Sequence, residues 1–389
     1  MPSEYDFLVV GAGFAGLVAA EQLVQKLDAR VLVVEARNHI GGNAHDAYDR
    51  AGVLIHQYGP HYFRTNSDRV RDYLSQFTHW HPIDYKVQSF TGGRYWSFPI
   101  NLKTFEQLIG KAATTEEFER WLESKRIPIE SPANSEEVIL SQVGPELYRL
   151  FFEGYTRKQW QCSPRDLDPS VCGRIPIRTN RDDRYLRESF QALPKDGYHR
   201  LFARLLESIQ HRCEVVLNTD YRELLPQVRF RHMIYTGPVD AYFDFADGHL
   251  PYRSLRFEPE SFEPEMLQER LSIAGKPGFW QPEMQVNYPG NEVEFTRIVE
   301  LKHATGQRCP NTTIVREYPE AFGLGKEPYY PIPNEASASI YRKYKARVEA
   351  EKHVSFIGRL ATYRYYNMDQ VVGMALTEAG KLVKRYRNA

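Results

Sequence analysis

An apolar strand, a glycine-rich turn, a helix and a second strand that ends in an acid open this sequence, and they predict an α/β fold. The first strand, Phe7–Val10, leads into Gly11, Gly13 and Gly16, which form the pattern G-x-G-x-x-G. In a Rossmann-like unit these glycines permit, in turn, the tight turn, the approach of a pyrophosphate and the close packing of the helix. The second strand ends at Glu35, whose carboxylate can accept both hydroxyls of a ribose. This opening stretch therefore predicts a dinucleotide site.

A second glycine pair, Gly41-Gly42, follows Glu35 closely and offers another point where backbone can approach a cofactor. An NAD domain has no need of this pair, whereas FAD has a longer body that lies along its domain. The sequence therefore favours FAD over NAD. The alternative is a glycine-rich turn in some other α/β unit.

The composition limits the classes of protein to consider. The 389 residues suffice for two or three domains. Lys and Arg together number 50, as do Asp and Glu, so bulk nucleic-acid binding is not expected. The four cysteines form no C-x-x-C motif, so we expect no metal site, and free thiols fit a reducing cytoplasm. The first strand begins almost at once and the longest apolar stretch is short, so we expect neither a signal peptide nor a membrane span.

The middle of the chain changes from strand to helix patterns. Turn signals between residues 44 and 102 separate predicted strands, among them residues 56–61 and 94–99. Helical spacing then dominates up to residue 158, with helices that start at Ser135 and Pro145.

Prolines interrupt residues 161–187, so this segment is predicted to be a mobile loop. We expect most of its arginines to be solvated and one or two to reach a diphosphate: Arg174, Arg178, Arg181, Arg184 and Arg187.

The last part of the chain returns to short strands at residues 214–217 and 233–236. Residues 251–319 are predicted to be mainly β, and helices are expected at 337–350 and 371–386. These patterns predict three domains: a discontinuous FAD-binding domain (1–65, 200–245 and 350–389), a helical domain (102–190) with the mobile substrate loop at about 161–187, and an antiparallel β-sheet domain (66–101 and 246–349).

Eight sequence blocks stand in a distinctive order along the chain: RNHIGGNA (37–44), YGPH (58–61), GYTRKQW (154–160), RIPIR (174–178), IYTGPVDAYFD (234–244), TRIVELKH (296–303), EPYYP (327–331) and GRLATYRYYNMDQV (358–371). In these blocks the chain resembles the UDP-galactopyranose mutase family, of the bacterial type, over nearly its whole length.

The resemblance implies an isomerase that converts UDP-galactopyranose to UDP-galactofuranose. The reaction is redox-neutral, yet it requires reduced FAD, whose N5 acts as a nucleophile on the anomeric carbon. The protein would grip the diphosphate and exclude water. The resemblance further implies a cytoplasmic homodimer with a UDP-hexose as its partner and a role in polysaccharide biosynthesis.

The resemblance also implies roles for individual residues. The implied catalytic residues are Arg174, Arg297, His61 and Asn367, and the two arginines would hold the diphosphate. The implied substrate-binding residues are Lys86, Tyr155, Trp160, Arg174, Tyr185, Asn287, Arg297, Tyr330 and Tyr365. Together with the opening glycine turn, it implies that these residues bind the cofactor: Gly11, Gly13, Phe14, Ala15, Gly16, Glu35, Ala36, Arg37, Gly42, Asn43, His61, Tyr62, Asp220, Tyr221, Arg359, Tyr366, Asn367, Met368, Asp369, Gln370 and Val371.

Three positions depart from the usual family pattern. Arg64 stands where the family usually has histidine, Asn367 where it usually has aspartate, and Tyr85-Lys86-Val87 differs from several members near the sugar. Arg64 adds a positive charge and Asn367 removes a negative one, so we expect a more cationic sugar end. This predicts a deoxy, N-acylated or acidic hexose, and neutral drift is the alternative.

Two other classes of protein share the opening fingerprint. A flavin amine-oxidase-like oxidoreductase would not need Arg174, Arg297 or the GYTRKQW block. A non-catalytic nucleotide-sugar binder would explain Arg64 and Asn367 as signs of lost activity, and it predicts tight UDP binding without isomerisation.

Overall fold

The computed structural model describes residues 3–323, 325–332 and 334–387. Its strands are β1 Ser3–Glu4, β2 Phe7–Val10, β3 Val31–Val34, β4 Asp46–Tyr48, β5 Leu54–His56, β6 Phe63–Thr65, β7 Trp80–Pro82, β8 Val87–Thr91, β9 Arg94–Phe98, β10 Phe190–Pro194, β11 Cys213–Val216, β12 Val228–Arg229, β13 His232–Tyr235, β14 Tyr252–Phe262, β15 Gln285–Asn287, β16 Arg297–Val299, β17 Thr312–Ala321, β18 Tyr330–Pro331 and β19 Val354–Phe356.

The α-helices lie between and after these strands. They are α1 Phe14–Leu27, α2 Asp68–Leu74, α3 Leu102–Ile109, α4 Thr115–Lys125, α5 Ser135–Leu147, α6 Gly154–Trp160, α7 Ser170–Gly173, α8 Tyr198–Glu207, α9 Tyr221–Leu224, α10 Val239–Tyr242, α11 Pro264–Gln268, α12 Leu271–Ala274, α13 Lys302–Thr305, α14 Glu335–Ala350 and α15 Met368–Arg387.

A parallel sheet with the strand order β11-β3-β2-β13-β19 forms the dinucleotide-binding unit. Strands β2 and β3 are apolar and buried, as expected of a parallel sheet covered on both faces. Helices α1, α8 and α15 pack in one core with this sheet, where Leu17, Phe202 and Val372 are fully buried. The predicted Rossmann-like fold is confirmed, and the carboxyl ends of β2 and β3 meet at one edge of the sheet.

A second, larger sheet has the strand order β18-β14-β17-β16-β15-β8-β9. The sequence predicts it to be antiparallel, and this is wrong for one pair, because β8 and β15 run parallel. The two strands are separated by the long helical insertion and are not joined by a hairpin, so their relative direction is free to differ. The sheet brings Asn287, at the end of β15, next to Arg297, at the start of β16.

The helical insertion bends where glycine permits it. Within α5, Gly144 adopts φ 77°, which breaks the helix just before Pro145. A π-helical stretch, Tyr148–Glu153, then leads directly into α6. The helix predicted to start at Pro145 therefore continues to Trp160, slightly beyond residue 158, where the predicted helical pattern ends.

Two local predictions differ from the structure. Residues 57–61 do not continue the strand β5, because Gly59 has φ 83° and turns the chain ahead of Pro60. Helix α2 was not expected within the strand-rich segment, although Ser67 caps it by accepting a hydrogen bond from Val70 N. The three-domain division stays a prediction.

Candidate functional site

The turn between β2 and α1 lines a cavity of about 420 Å³, called here the dinucleotide cavity. An ideal Cβ on Gly16 would lie 1.9 Å from the Gly11 carbonyl oxygen, so glycine is required for this packing. An ideal Cβ on Gly42 would lie 3.0 Å from Gly13 Cα, so both glycine turns come together at this wall. No side chain caps α1 at Gly13, which leaves its first N–H groups able to bind an anion.

Glu35 fixes the loops at the ribose side of this cavity. One carboxylate oxygen accepts a hydrogen bond from Ala12 N at 2.8 Å, and the other accepts from Arg37 N at 3.0 Å. Each oxygen retains a lone pair that can accept a ribose hydroxyl. Asp220 and Tyr221 line the same cavity, as the predicted cofactor contacts require.

A second cavity of about 460 Å³, called here the cleft, adjoins the dinucleotide cavity. Asn43, His61, Arg359 and Met368 line both, so a ligand group at this junction would reach both spaces. The glycine cradle, the uncapped helix start and this continuous space together fit an elongated dinucleotide whose far end lies at the cleft.

His61 is held at the junction in one orientation. Its Nδ1 lies 2.8 Å from the Gly59 carbonyl oxygen, so Nδ1 donates and Nε2 remains an acceptor. Its backbone N–H donates to His56 Nδ1 at 3.0 Å, and the Tyr198 hydroxyl donates to its carbonyl oxygen at 3.0 Å. Burial lowers the pKa of His61 to about 3, so the ring is neutral at neutral pH.

A side pocket of about 90 Å³ extends the cleft away from the junction. Arg174, Arg297 and Tyr330 line both the cleft and the side pocket. Further into the side pocket lie three of the predicted substrate contacts, Tyr155, Trp160 and Asn287. Two arginines thus stand between an aromatic pocket and the dinucleotide cavity.

Arg297 is fixed by an acid on the neighbouring strand. Its Nε and Nη2 lie 2.9 and 2.7 Å from one oxygen of Glu317, whose side chain is 1% exposed. The partner is neither of the two acids nearest in sequence, Glu294 and Glu300. Strand register places Glu317 opposite Arg297, whereas Glu300 accepts hydrogen bonds from Trp280 N and Gln281 N. Glu317 therefore sets the direction in which Arg297 faces the cleft.

Arg174 and Arg359 flank a tyrosine at the other side of the cleft. Their guanidinium carbons lie 4.9 and 5.2 Å from the centre of the Tyr365 ring. Although burial acts to raise the pKa of Tyr365, the two arginines lower it to about 8. The tilted ring of Tyr330 packs nearby, with its centre 5.4 Å from that of Tyr365. This cluster provides positive charge and hydroxyl donors suited to a diphosphate.

Two of the positions that depart from the family pattern contact each other. Arg64 donates from Nη2 to Asn367 Oδ1 at 3.0 Å, and its Nε lies 3.1 Å from Glu188 Oε1. All three residues line the cleft. Because Glu188 offsets the charge of Arg64, the sugar end of the cleft is less cationic than the sequence predicts.

Some predicted site residues lie away from these cavities. Lys86 is outside the described lining of all three, and its Nζ lies 3.2 Å from Asp183 Oδ1. Gly16 serves helix packing, and Asp369 likewise lies outside the lining. The roles predicted for Lys86 and Asp369 stay predictions.

The arginines of the predicted loop fall into two groups, and their contact with a diphosphate stays a prediction. Arg178 and Arg184 pair with Asp182, and Arg181 pairs with Glu106. Arg174 and Arg187 line the cleft.

Sequence reasoning missed several lining residues that adjoin the recognised blocks. Tyr58 and Tyr329 line the cleft, and Thr236 and Glu327 line the dinucleotide cavity. Tyr58 stands in YGPH, while Tyr329 and Glu327 stand in EPYYP, so the blocks carried the signal. Glu188 and Glu317 lie outside the blocks, and sequence gave no local indication of them.

Comparison with known proteins identifies the family. The sequence profile described as UDP-galactopyranose mutase matches residues 150–365, and that of an NAD(P)-binding Rossmann-like domain matches residues 9–77. The chain is 35% identical over 388 residues to a probable UDP-galactopyranose mutase of Klebsiella pneumoniae, covering 98% of this chain and 96% of that protein. The chain belongs to the UDP-galactopyranose mutase family.

A second relative and a solved structure are also similar to this UDP-galactopyranose mutase family member over nearly its full length. It is 32% identical over 383 residues to a dTDP-fucopyranose mutase of Escherichia coli, covering 97% of this chain and 98% of that protein. A crystal structure of reduced UDP-galactopyranose mutase superposes with a TM-score of 0.74 at 16% identity, covering 100% of this chain and 95% of that one. That likeness confirms the fold.

Membership of the UDP-galactopyranose mutase family makes the chain an isomerase, as the sequence predicted. Among the described residues, no helix combines the length and apolar character needed to cross a membrane.

Proposed function

We propose that this protein interconverts UDP-galactopyranose and UDP-galactofuranose with the help of bound, reduced FAD. The observation that carries the proposal is the cleft itself. It joins the dinucleotide cavity at His61 and Arg359, and it presents Arg174 and Arg297 toward the aromatic side pocket.

The order of the three spaces matches the parts of the two ligands. The glycine turns and Glu35 would hold the FAD nucleotide, with the isoalloxazine ring at the junction near His61 and Met368. The sugar would lie in the cleft, the diphosphate between Arg174 and Arg297, and the uracil in the side pocket beside Tyr155. Each charge-assisted contact to the diphosphate is worth about 1.5–3 kcal/mol.

The chain's own residues bind, orient and stabilise charge. Arg174, Arg297 and Tyr330 would keep the diphosphate close when its bond to the sugar breaks, and they stabilise the charge that it gains. The neutral His61 ring offers Nε2 as an acceptor and orients groups at the junction, but it carries no spare proton at neutral pH. Bound and reduced, FAD would supply the nucleophilic N5 that the sugar's anomeric carbon requires.

The direct test uses purified holoenzyme and UDP-galactofuranose under nitrogen, with and without dithionite, followed by chromatography of the sugar nucleotides. We expect conversion to the pyranose form in the reduced sample alone. Equal turnover by the oxidised enzyme would refute the role of reduced flavin. UDP binding without any conversion would favour a different sugar or a non-catalytic binder.

A second candidate is the same ring contraction on another nucleoside-diphosphate hexose, such as a deoxy, N-acylated or acidic sugar. Two observations favour it: Arg64 and Asn367, which depart from the usual family pattern, contact each other in the cleft wall, and the dTDP-fucopyranose mutase is 32% identical. Rates with UDP-galactopyranose, dTDP-fucopyranose and UDP-N-acetylgalactosamine would decide. A large preference for UDP-galactopyranose would exclude the candidate.

The variant R64H/N367D restores the residues usual in the family, so on this second candidate it shifts preference toward UDP-galactopyranose. Unchanged ratios of kcat/KM among the three sugars would show that these positions do not set specificity.

The homodimer and the cytoplasmic location expected from the family resemblance remain proposals. Light scattering coupled to size exclusion tests the first, and fractionation of cells that produce the tagged protein tests the second.

A further inference from the structure

The ammonium group of Lys158 is bound by a ring of backbone carbonyls. Lys158 lies on α6, and its Nζ donates to the carbonyl oxygens of Tyr288, Gly290, Val293 and Phe295 at 2.5, 2.7, 3.1 and 3.1 Å. All four belong to the loop that connects β15 with β16. The loop therefore wraps around the side chain of a different element.

The charge of Lys158 is compensated in an unusual way. Burial lowers the pKa of Lys158 to about 8, whereas the nearby Glu292 acts to raise it. None of the described carboxylates lies within ion-pair distance of Nζ, so the carbonyl dipoles are the direct contacts of the ammonium. An ammonium has three N–H donors and no acceptor, so all three are used and at least one is shared between two of the four carbonyls. Because these carbonyls point inward to one cation, the path of residues 288–295 depends on the presence of that cation.

The two elements that Lys158 connects form two walls of the side pocket. Helix α6 carries Tyr155 and Trp160, which line the side pocket. The loop leaves β15 directly after Asn287 and enters β16 directly at Arg297. The Lys158 contact therefore sets the distance between Tyr155 and Trp160 on one wall and Arg297 on the other.

Other contacts hold the same two walls together. The Thr296 hydroxyl donates to Gln159 Oε1 at 3.1 Å. Thr296 directly precedes Arg297, and Gln159 directly follows Lys158. An ideal Cβ on Gly154 would lie 2.2 Å from the Pro289 carbonyl oxygen, so helix and loop are in direct backbone contact. The interface is therefore tight at both ends of α6.

We propose that Lys158 is a positioning residue that fixes the spacing between the base-binding and diphosphate-binding parts of the substrate site. The inference rests on the proposed function, because it takes uracil to bind beside Tyr155 and diphosphate to bind at Arg297. Lys158 itself lies outside the described lining of the side pocket, so it acts through Tyr155, Asn287 and Arg297.

The test compares K158M with a matched control, K302M. Lys302 also donates to backbone carbonyls, Gly278 O at 3.0 Å and Asn311 O at 2.9 Å, but it lies away from the cavities.

Each holoenzyme is titrated with UDP by calorimetry, and KM and kcat are measured with the sugar nucleotide. We expect K158M to raise Kd and KM by about 10-fold, because uracil and diphosphate then fit their two walls less well at the same time. The variant weakens the binding of substrate and of transition state alike, so kcat should change less than about threefold. K302M should lower the melting temperature without changing Kd.

A second variant covers the case in which K158M does not fold. G154A keeps Lys158 and wedges a methyl group between α6 and the Pro289 carbonyl, so it should raise Kd for UDP in the same direction. If wild-type protein binds UDP and both variants bind within twofold of it, the inference is overturned. If wild-type protein does not bind UDP, the proposed function fails instead. If K302M loses as much affinity as K158M, the effect of K158M is general destabilisation, and the inference is overturned.

Discussion

The substitution R297K separates the charge of Arg297 from its geometry. Replacement by alanine would leave the carboxylate of Glu317, which is 1% exposed, without its cation. Breaking such a buried pair costs about 3–5 kcal/mol of stability, which would obscure any effect on binding. Lysine keeps a positive charge beside Glu317, so the fold should be retained.

The binding cost follows from the shape of the guanidinium group. In the structure Nε and Nη2 both contact Glu317, which leaves other guanidinium N–H groups to reach the cleft. A single ammonium must serve both the acid and the diphosphate, so one charge-assisted contact is lost. That contact is worth about 1.5–3 kcal/mol, which weakens UDP binding about 10- to 150-fold.

Calorimetric titration of the holoenzyme with UDP measures this loss directly, with flavin content and melting temperature recorded for the same samples. The control is R316K, which changes an arginine of β17 that pairs with Glu260 at 2.6 Å. We expect R316K to bind UDP like the wild type. A Kd for R297K within twofold of wild type, with flavin content unchanged, would refute the placement of the diphosphate at Arg297.

Three further predictions concern the pH response and the glycine turn. Because Arg174 and Arg359 lower the pKa of Tyr365 to about 8, its phenolate forms above that pH and repels a diphosphate, so Kd for UDP should rise between pH 7 and 9. Y365F should flatten that profile, and an unchanged slope would contradict the assignment. G16A should yield protein with little bound flavin by the ratio of absorbance at 450 and 280 nm, since its Cβ would lie 1.9 Å from the Gly11 carbonyl oxygen. G380A, in the helix α15 with nothing within 4 Å, should instead raise the free energy of unfolding by about 0.5–1 kcal/mol in urea titrations and keep the flavin.

Local patterns predicted the elements that depend on short stretches of chain. The opening turn, the burial of β2 and β3 and the start of α5 all follow from residues within one or two turns of each other. Residues 57–61 were predicted wrongly as strand, because the left-handed backbone at Gly59 turns the chain away from the extended conformation. The helix α2 was missed because its segment is short and flanked by strands.

Interactions between distant segments could not be predicted in this way. Glu317 faces Arg297 because β16 and β17 pair in one register, and a shift by one residue would turn its side chain away. Arg64 meets Asn367 across a sequence separation of 303 residues. No periodicity encodes such contacts, since they depend on how whole elements pack.

The sequence by itself determined the dinucleotide fingerprint, the family and the identity of most residues that line the cleft. The fingerprint follows from a motif that lies within one turn and its helix, whereas the family and the cleft residues follow from the resemblance of eight sequence blocks to that family. The tertiary structure alone decided which acid holds Arg297, that Glu188 offsets Arg64, and that the loop after Asn287 encloses Lys158. The physical reason is that charge compensation in a folded chain is set by strand register and by the approach of distant backbone, which short-range sequence patterns do not specify.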